Sequence, residues 1–357
     1  MVPSTQATGR DAADGANATR RRRRQDAPGT TTTDVAPRME RSAMAVTAKK
    51  VYDGLTEHVS SDGERERIRR TLYRTDDTAM GSVAPAWRER WTDAEVAQYH
   101  EQGYLAMEGL LTPGQVEEAK QALADIAHRR VWNEKVGIQE EPYFRSGGAD
   151  ERIDDPELRI RKLWMFCQAD ARLAGMAASS RLVPLLDQLI GAGHRMIQDM
   201  ALLKPPFHGA EKPWHQDTAY FDYTPLGGVI GVWIALDEAT VENGCMQVIP
   251  GSQVDGPAQH YHVRDCQLDD RGVAVSRAVV VPLKPGGALF FSGLLHHGTP
   301  PNTSGDRRRA LQFHYAAENC TRMTIREHGE LFDDGGKYAG CRDWDLEAGM
   351  SRAKIEI

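Results

Sequence analysis

After about residue 195 the chain breaks into short apolar runs, Met200 to Leu203, Gly228 to Leu236, Cys245 to Ile249, Ala278 to Leu283, Ala288 to Phe291 and Ala310 to Tyr315, separated by segments rich in Gly, Pro and Asn. Runs this short cannot form helices that bury much surface. Several at such spacing specify strands of a sandwich or barrel. Helical signals lie upstream. Thr92 followed by Glu95 makes a capping box for a helix expected to end at Gly103, and Thr112-Pro113-Gly114-Gln115 opens a second helix running to about Arg130, with a strand from Tyr104 to Leu111 between them. The fold class expected is therefore mainly β with flanking helices (α+β).

The chain divides by composition. Residues 1–45 are rich in Ala, Thr, Arg, Asp and Gly with almost no large apolar side chains, and the expectation is a disordered basic tail. Its run Arg20 to Arg24 reads as a solvated charge run. Met39 and Met44 are alternative starts. Residues 46–90 are expected to be a helical extension, 91–345 the main domain, and 346–357 a C-terminal tail.

Residues 1–43 hold eight arginines against five acids, so a chain of net charge −7 carries about −10 beyond them. That balance argues against a nucleic-acid partner. No apolar run approaches the ~18 residues of a membrane span, and the arginine run is not followed by the apolar stretch of an export signal. A cytoplasmic protein, monomeric or homodimeric, is expected. Five cysteines without a C-x-x-C suggest reduced thiols.

His215-Gln216-Asp217 places two ligand types two residues apart, which on a strand puts them on one face. Chance alone supplies a couple of H-x-D/E matches in such a composition, and there are two, the other being His328-Gly329-Glu330, read as a coincidental surface match. Only the first is followed by a second imidazole candidate, the pair His296-His297 just past the run Ala288 to Phe291. Two imidazoles and one carboxylate form the facial triad of non-heme Fe(II), which leaves open positions for O2 and a chelating co-substrate. Next comes a turn-rich segment ending in Arg307-Arg308-Arg309, from which one guanidinium can grip a carboxylate as a bidentate fork.

The run Pro213 to Asp217, the block Asn243-Gly244-Cys245-Met246-Gln247-Val248-Ile249-Pro250-Gly251-Ser252 and the segment from His297 to Arg308 resemble the phytanoyl-CoA dioxygenase family of Fe(II)/2-oxoglutarate oxygenases. The likeness extends over roughly residues 91–320. It implies a double-stranded β-helix (jelly-roll) core with helices packed on one sheet. It implies that His215, Asp217 and His297 bind iron, and that Arg308 holds the distal carboxylate of 2-oxoglutarate with Thr299 as a hydroxyl contact. Trp233, Met200 and Lys162 fall where the family lines its co-substrate pocket. Position 253 is Gln, where the family usually has His. His296 rivals His297, and Arg307 and Arg309 rival Arg308, with strand parity favouring the first choice in each case. A carboxylate at Asp217 points to oxygen transfer or hydrogen abstraction, because related halogenases have a small residue there.

The resemblance further implies consumption of 2-oxoglutarate and O2, release of succinate and CO2, and a small-molecule substrate that is medium-sized and partly apolar. Thr218 to Pro225 is expected at the mouth. The segment Arg130 to Arg161, including Tyr143, Phe144 and Arg145, is expected as a lid. A cupin-like metalloenzyme that does not use 2-oxoglutarate and a non-catalytic barrel remain as alternatives.

Overall fold

In a computed structural model, residues 61–75, 79–151, 153–332, 344–345 and 350–351 are described. The basic tail, the first part of the N-terminal extension and most of the C-terminal tail lie outside them.

Eleven strands form the two sheets that matter: β1 (Tyr104–Met107), β2 (Gly137–Glu140), β3 (Ile160–Trp164), β4 (Arg195–Lys204), β5 (Lys212–His215), β6 (Val229–Ala235), β7 (Met246–Val248), β8 (Val279–Val281), β9 (Ala288–Ser292), β10 (His297–Thr299) and β11 (Arg308–Ala316). The major sheet runs β1-β9-β6-β11-β4-β3-β2 and the minor sheet β8-β7-β10-β5, with antiparallel pairing throughout. This is the jelly-roll arrangement of two facing sheets.

Strands β6 and β9 are largely apolar on both faces, which is why they read as continuous runs, whereas β11 places Arg308, Gln312 and His314 on one face. On β11, Leu311, Phe313 and Tyr315 join one core, while Ala310 joins the other. On β6, Ile230, Val232 and Ile234 face one way, and Trp233 and Ala235 the other. The first core is closed by helices, through Val116, Ala119, Leu123 and Ile126 of the helix Pro113–Ala127 and residues of two later helices; the second is closed by Met246, Val248, Val280 and Val281 of the minor sheet. Each strand thus presents one set of side chains to the helices and one to the space between the sheets.

The helices follow their local signals. Helix α1 spans Asp62–Leu72, α2 Asp93–Gln102 and α3 Pro113–Ala127. Thr92 and Thr112 both complete capping boxes, and Gly103 ends α2 at φ 81°, a left-handed conformation that glycine adopts without a Cβ penalty. The strand expected to reach Leu111 stops at Met107, and α3 stops short of Arg130.

Two expectations need correction here. The segment from Arg130 to Arg161 is not a lid: it carries β2 and the start of β3 on the edge of the major sheet, with Tyr143 stacked on His208 at 4.1 Å and Phe144 buried against the same ring. The thiols are not all reduced either. Cys167, Cys245 and Cys320 are free, but Cys266 is disulfide-bonded. Pairing depends on Cα proximity in the fold, which an odd count and the lack of a C-x-x-C do not address.

Candidate metal and co-substrate site

The space between the sheets is lined where strand parity turns polar side chains inward. Trp214 is buried with Ile68, Tyr73 and Ile249, stacks on Tyr73 at 5.6 Å and donates from Nε1 to the Leu72 carbonyl at 2.6 Å. With Trp214 pinned toward α1, its neighbour His215 turns to the interior. His215 and His297 are direct cross-strand partners on β5 and β10, with ring centroids 4.2 Å apart.

Asp217 joins them by a route that strand parity does not describe. His215 is the last residue of β5, and Asp217 opens a short 3-10 turn, Asp217–Tyr220. Gln216 makes the bend: its amide donates to the Gly256 and Leu294 carbonyls, its Oε1 accepts from Ala258, and its backbone N–H donates to His260. The expectation of both residues on one strand face is replaced by a strand end followed by a tight turn. The variable middle residue of the motif is a structural anchor.

One ligand atom each from His215, Asp217 and His297 lies within 4.8 Å of the others. His215 Nε2 is 3.3 Å and His297 Nε2 3.5 Å from the same oxygen, Asp217 Oδ1. The other nitrogens are committed: His215 Nδ1 contacts the Pro213 carbonyl at 2.8 Å, and His297 Nδ1 the Leu295 carbonyl at 2.9 Å. A carbonyl only accepts, so each Nδ1 carries a hydrogen and each Nε2 is left facing the centre. Burial first, then His297, pushes the His215 imidazole down to about 3. Burial alone would raise Asp217, yet His297 and His314 hold it well below the usual carboxylate range. Two imidazole nitrogens converging on one carboxylate oxygen form a donor set that a divalent cation would satisfy.

His296 sits apart from this cluster, with its backbone N–H on Ser252 Oγ and its ring Nε2 buried without a partner. His328 is not the surface residue expected. It is fully buried in the helix Ile325–Phe332, 4.9 Å from the Phe332 ring, and no part of the cluster.

The three arginines also separate. Arg307 pairs with Glu157 at 3.1 Å; Arg309 pairs with Asp237 at 2.8 Å and with Glu157 at 3.2 Å. Arg308 turns inward, 2% exposed, donating to the Leu202 carbonyl at 3.0 Å and lying 5.3 Å from the Trp233 ring. Among the described residues no carboxylate pairs with it. Arg308 Nε and Trp233 Nε1 are both buried without partners. Burial pushes the guanidinium down to about 10, which still leaves it charged near neutrality.

A cavity beside the cluster is lined by His215, Asp217 and His297 together with Lys162, Met200 and Thr299. Its wall also includes Tyr220 and Phe221 from the segment expected at the mouth, and Gln198, Lys212, Gln312 and His314, which sequence reasoning missed. Lys212 donates to Tyr220 Oη at 2.6 Å and to Asp265 Oδ2 at 2.8 Å, and Lys162 Nζ lies 3.9 Å from the same oxygen. Gln312 and His314 were legible, since a period of two from Arg308 reaches both. Gln253, the departure from the family pattern, donates to the carbonyls of His100 and Glu101 and so holds the end of α2.

Known proteins resemble this chain over its central region. The family profile of phytanoyl-CoA dioxygenase (PhyH) matches residues 99–310. Phytanoyl-CoA dioxygenase domain-containing protein 1 of Danio rerio is 27% identical over 264 residues, covering 62% of this chain and 89% of its own. The peroxisomal phytanoyl-CoA dioxygenase of Bos taurus is 24% identical, covering 62% and 67%. Among solved structures, the non-heme alpha ketoglutarate dependent carbocyclase SnoK from nogalamycin biosynthesis superposes with a TM-score of 0.51 at 22% identity, covering 65% of this chain and 86% of that one. EctD from S. alaskensis, crystallised with 2-oxoglutarate and 5-hydroxyectoine, gives 0.50 at 21% identity, covering 69% and 82%. Both are likenesses of fold.

Proposed function

The chain belongs to the phytanoyl-CoA dioxygenase family, and from that premise we propose that it is an Fe(II)- and 2-oxoglutarate-dependent oxygenase that hydroxylates an unactivated C–H bond of a medium-sized, partly apolar small molecule. The observation that carries the co-substrate is Arg308. A buried guanidinium without an anion is costly, so a site that keeps one is built for a ligand carboxylate.

Bound Fe(II), with 2-oxoglutarate and O2, supplies the oxidising power, as decarboxylation of the 2-oxo acid to succinate and CO2 accompanies oxidation of the substrate. The protein's share is placement. His215, Asp217 and His297 would hold the ion, and all three also line the cavity. Arg308 lies four residues along β11 from Gln312, which itself contacts Asp217. At ~3.3 Å per residue that is roughly 13 Å, the span of a five-carbon diacid plus the reach of an arginine. In this reading Arg308, with Thr299 of the cavity wall, would hold the distal carboxylate; Arg308 and Trp233 are not themselves among the residues that line the cavity. Met200 on β4 faces β11 at Gln312, and Lys162 on the next strand closes the cavity wall. Tyr220 and Phe221 supply aromatic surface where substrate would enter.

Anaerobic titration with Fe(II) and then 2-oxoglutarate tests this reading. A weak visible charge-transfer band that saturates at one 2-oxoglutarate per site is expected in the parent and absent from His215→Ala, Asp217→Ala and His297→Ala. Fe(II) binding without any band on adding 2-oxoglutarate would favour a metalloenzyme of the same ligands that uses no 2-oxo acid.

A further inference from the structure

The two oxygens of Asp217 keep different company. Oδ1 faces His215 and His297. Oδ2 faces β11, where His314 Nε2 lies 2.7 Å away and Gln312 Nε2 3.2 Å. Both residues are buried, and both belong to the inward face of the strand that also bears Arg308.

The hydrogen on His314 follows from its neighbours. A bare lone pair at Nε2 would sit 2.7 Å from a carboxylate oxygen, two acceptors in contact, so Nε2 carries the hydrogen and donates to Oδ2. The Gln312 amide nitrogen, 3.0 Å from the same ring nitrogen, then also directs its donor to Asp217. His314 Nδ1 is buried with no partner. The ring's hydrogen bond thus goes to Asp217.

We propose that His314, assisted by Gln312, is a positioning residue that keeps Asp217 a one-oxygen ligand; the inference rests on the iron-binding reading of the cluster. An aspartate can bind a cation through one oxygen or two. A second Asp217 oxygen on the ion would occupy one of the positions needed by the chelating co-substrate and O2. Two N–H donors on Oδ2 hold that oxygen back and orient Oδ1 toward His215 and His297. Because β11 carries Arg308 as well, one strand sets both the carboxylate of the metal site and the anchor for the far end of the co-substrate.

The test is equilibrium binding of Fe(II) alone, anaerobically, so that neither turnover nor 2-oxoglutarate enters the readout. His314→Leu should weaken Fe(II) binding by about 10- to 100-fold, while His314→Gln, whose amide nitrogen reaches the place of Nε2, should stay within about threefold of the parent. Gln312→Met should show a smaller loss. His314→Leu binding as tightly as the parent, or His314→Gln losing as much as His314→Leu, overturns the proposal, the second outcome because packing alone would then explain the loss. If His314→Leu gives no cooperative melt, Gln312→Met decides: weakened Fe(II) binding supports the proposal and parental affinity overturns it. A parent that binds no Fe(II) removes the iron reading itself, and this inference with it.

Discussion

Arg308 shows how much a single residue can say once its surroundings are known. Its neighbours Arg307 and Arg309 have the same chemistry but already satisfy acids, Glu157 and Asp237. Among the described residues Arg308 meets a backbone carbonyl and an aromatic face and no carboxylate. Losing one partner of a buried, hydrogen-bonded charge pair typically costs about 2 to 5 kcal/mol. Arg308→Lys should therefore raise the KM for 2-oxoglutarate by tens-fold or more with little change in Fe(II) affinity, because lysine cannot form the bidentate fork. The same substitution at Arg307 or Arg309 should leave that KM near the parental value. Steady-state kinetics on the three variants checks this, and a parental KM in Arg308→Lys would sink the assignment of the anchor.

At the scale of the element, the interior faces of β6 and β9 are fitted to each other around the metal ligands. Gly231 lies opposite Phe291 across these strands, and a Cβ at Gly231 would come within 2.5 Å of the Phe291 ring. That ring lies 4.7 Å from the His297 imidazole and is fully buried, so it has nowhere to retreat. Gly231→Ala is expected to cost about 1 to 3 kcal/mol through overpacking and to weaken Fe(II) binding by moving Phe291 against His297. Thermal melting with and without Fe(II) separates the two effects. An unchanged melting temperature would mean that the strands shift apart freely.

For the whole molecule, buried neutral imidazoles shape the response to acid. Burial, with His215, His296 and Lys212 nearby, pushes His260 down to about 3 from an ordinary value of 6.5. Above about pH 6.5 neither the folded nor the unfolded chain protonates this residue. Between 6.5 and 3 the unfolded chain takes up a proton that the folded chain refuses, so stability falls as pH falls, by up to about 1.4 kcal/mol per pH unit for such a group. His260→Gln keeps an acceptor for the Gln216 N–H and removes the titration. In urea melts with a chelator present, stability should fall less between pH 7 and pH 5 in the variant than in the parent. Parallel pH curves for the two proteins would show that His260 does not resist protonation in the fold.

The sequence by itself determined the β-rich class, both capping boxes and the order of His215, Asp217, His297 and Arg308 along the chain. These depend on local periodicity and on side-chain chemistry, which are written residue by residue. Tertiary structure alone decided that Asp217 enters through a turn braced by Gln216, since the brace reaches carbonyls 40 and 78 residues away. It likewise decided that Cys266 is disulfide-bonded and that the segment from Arg130 to Arg161 extends the sheet. Which of three adjacent arginines lacks a carboxylate, and which oxygen of Asp217 meets His314, are distances between strands far apart in sequence, and only the folded chain sets those.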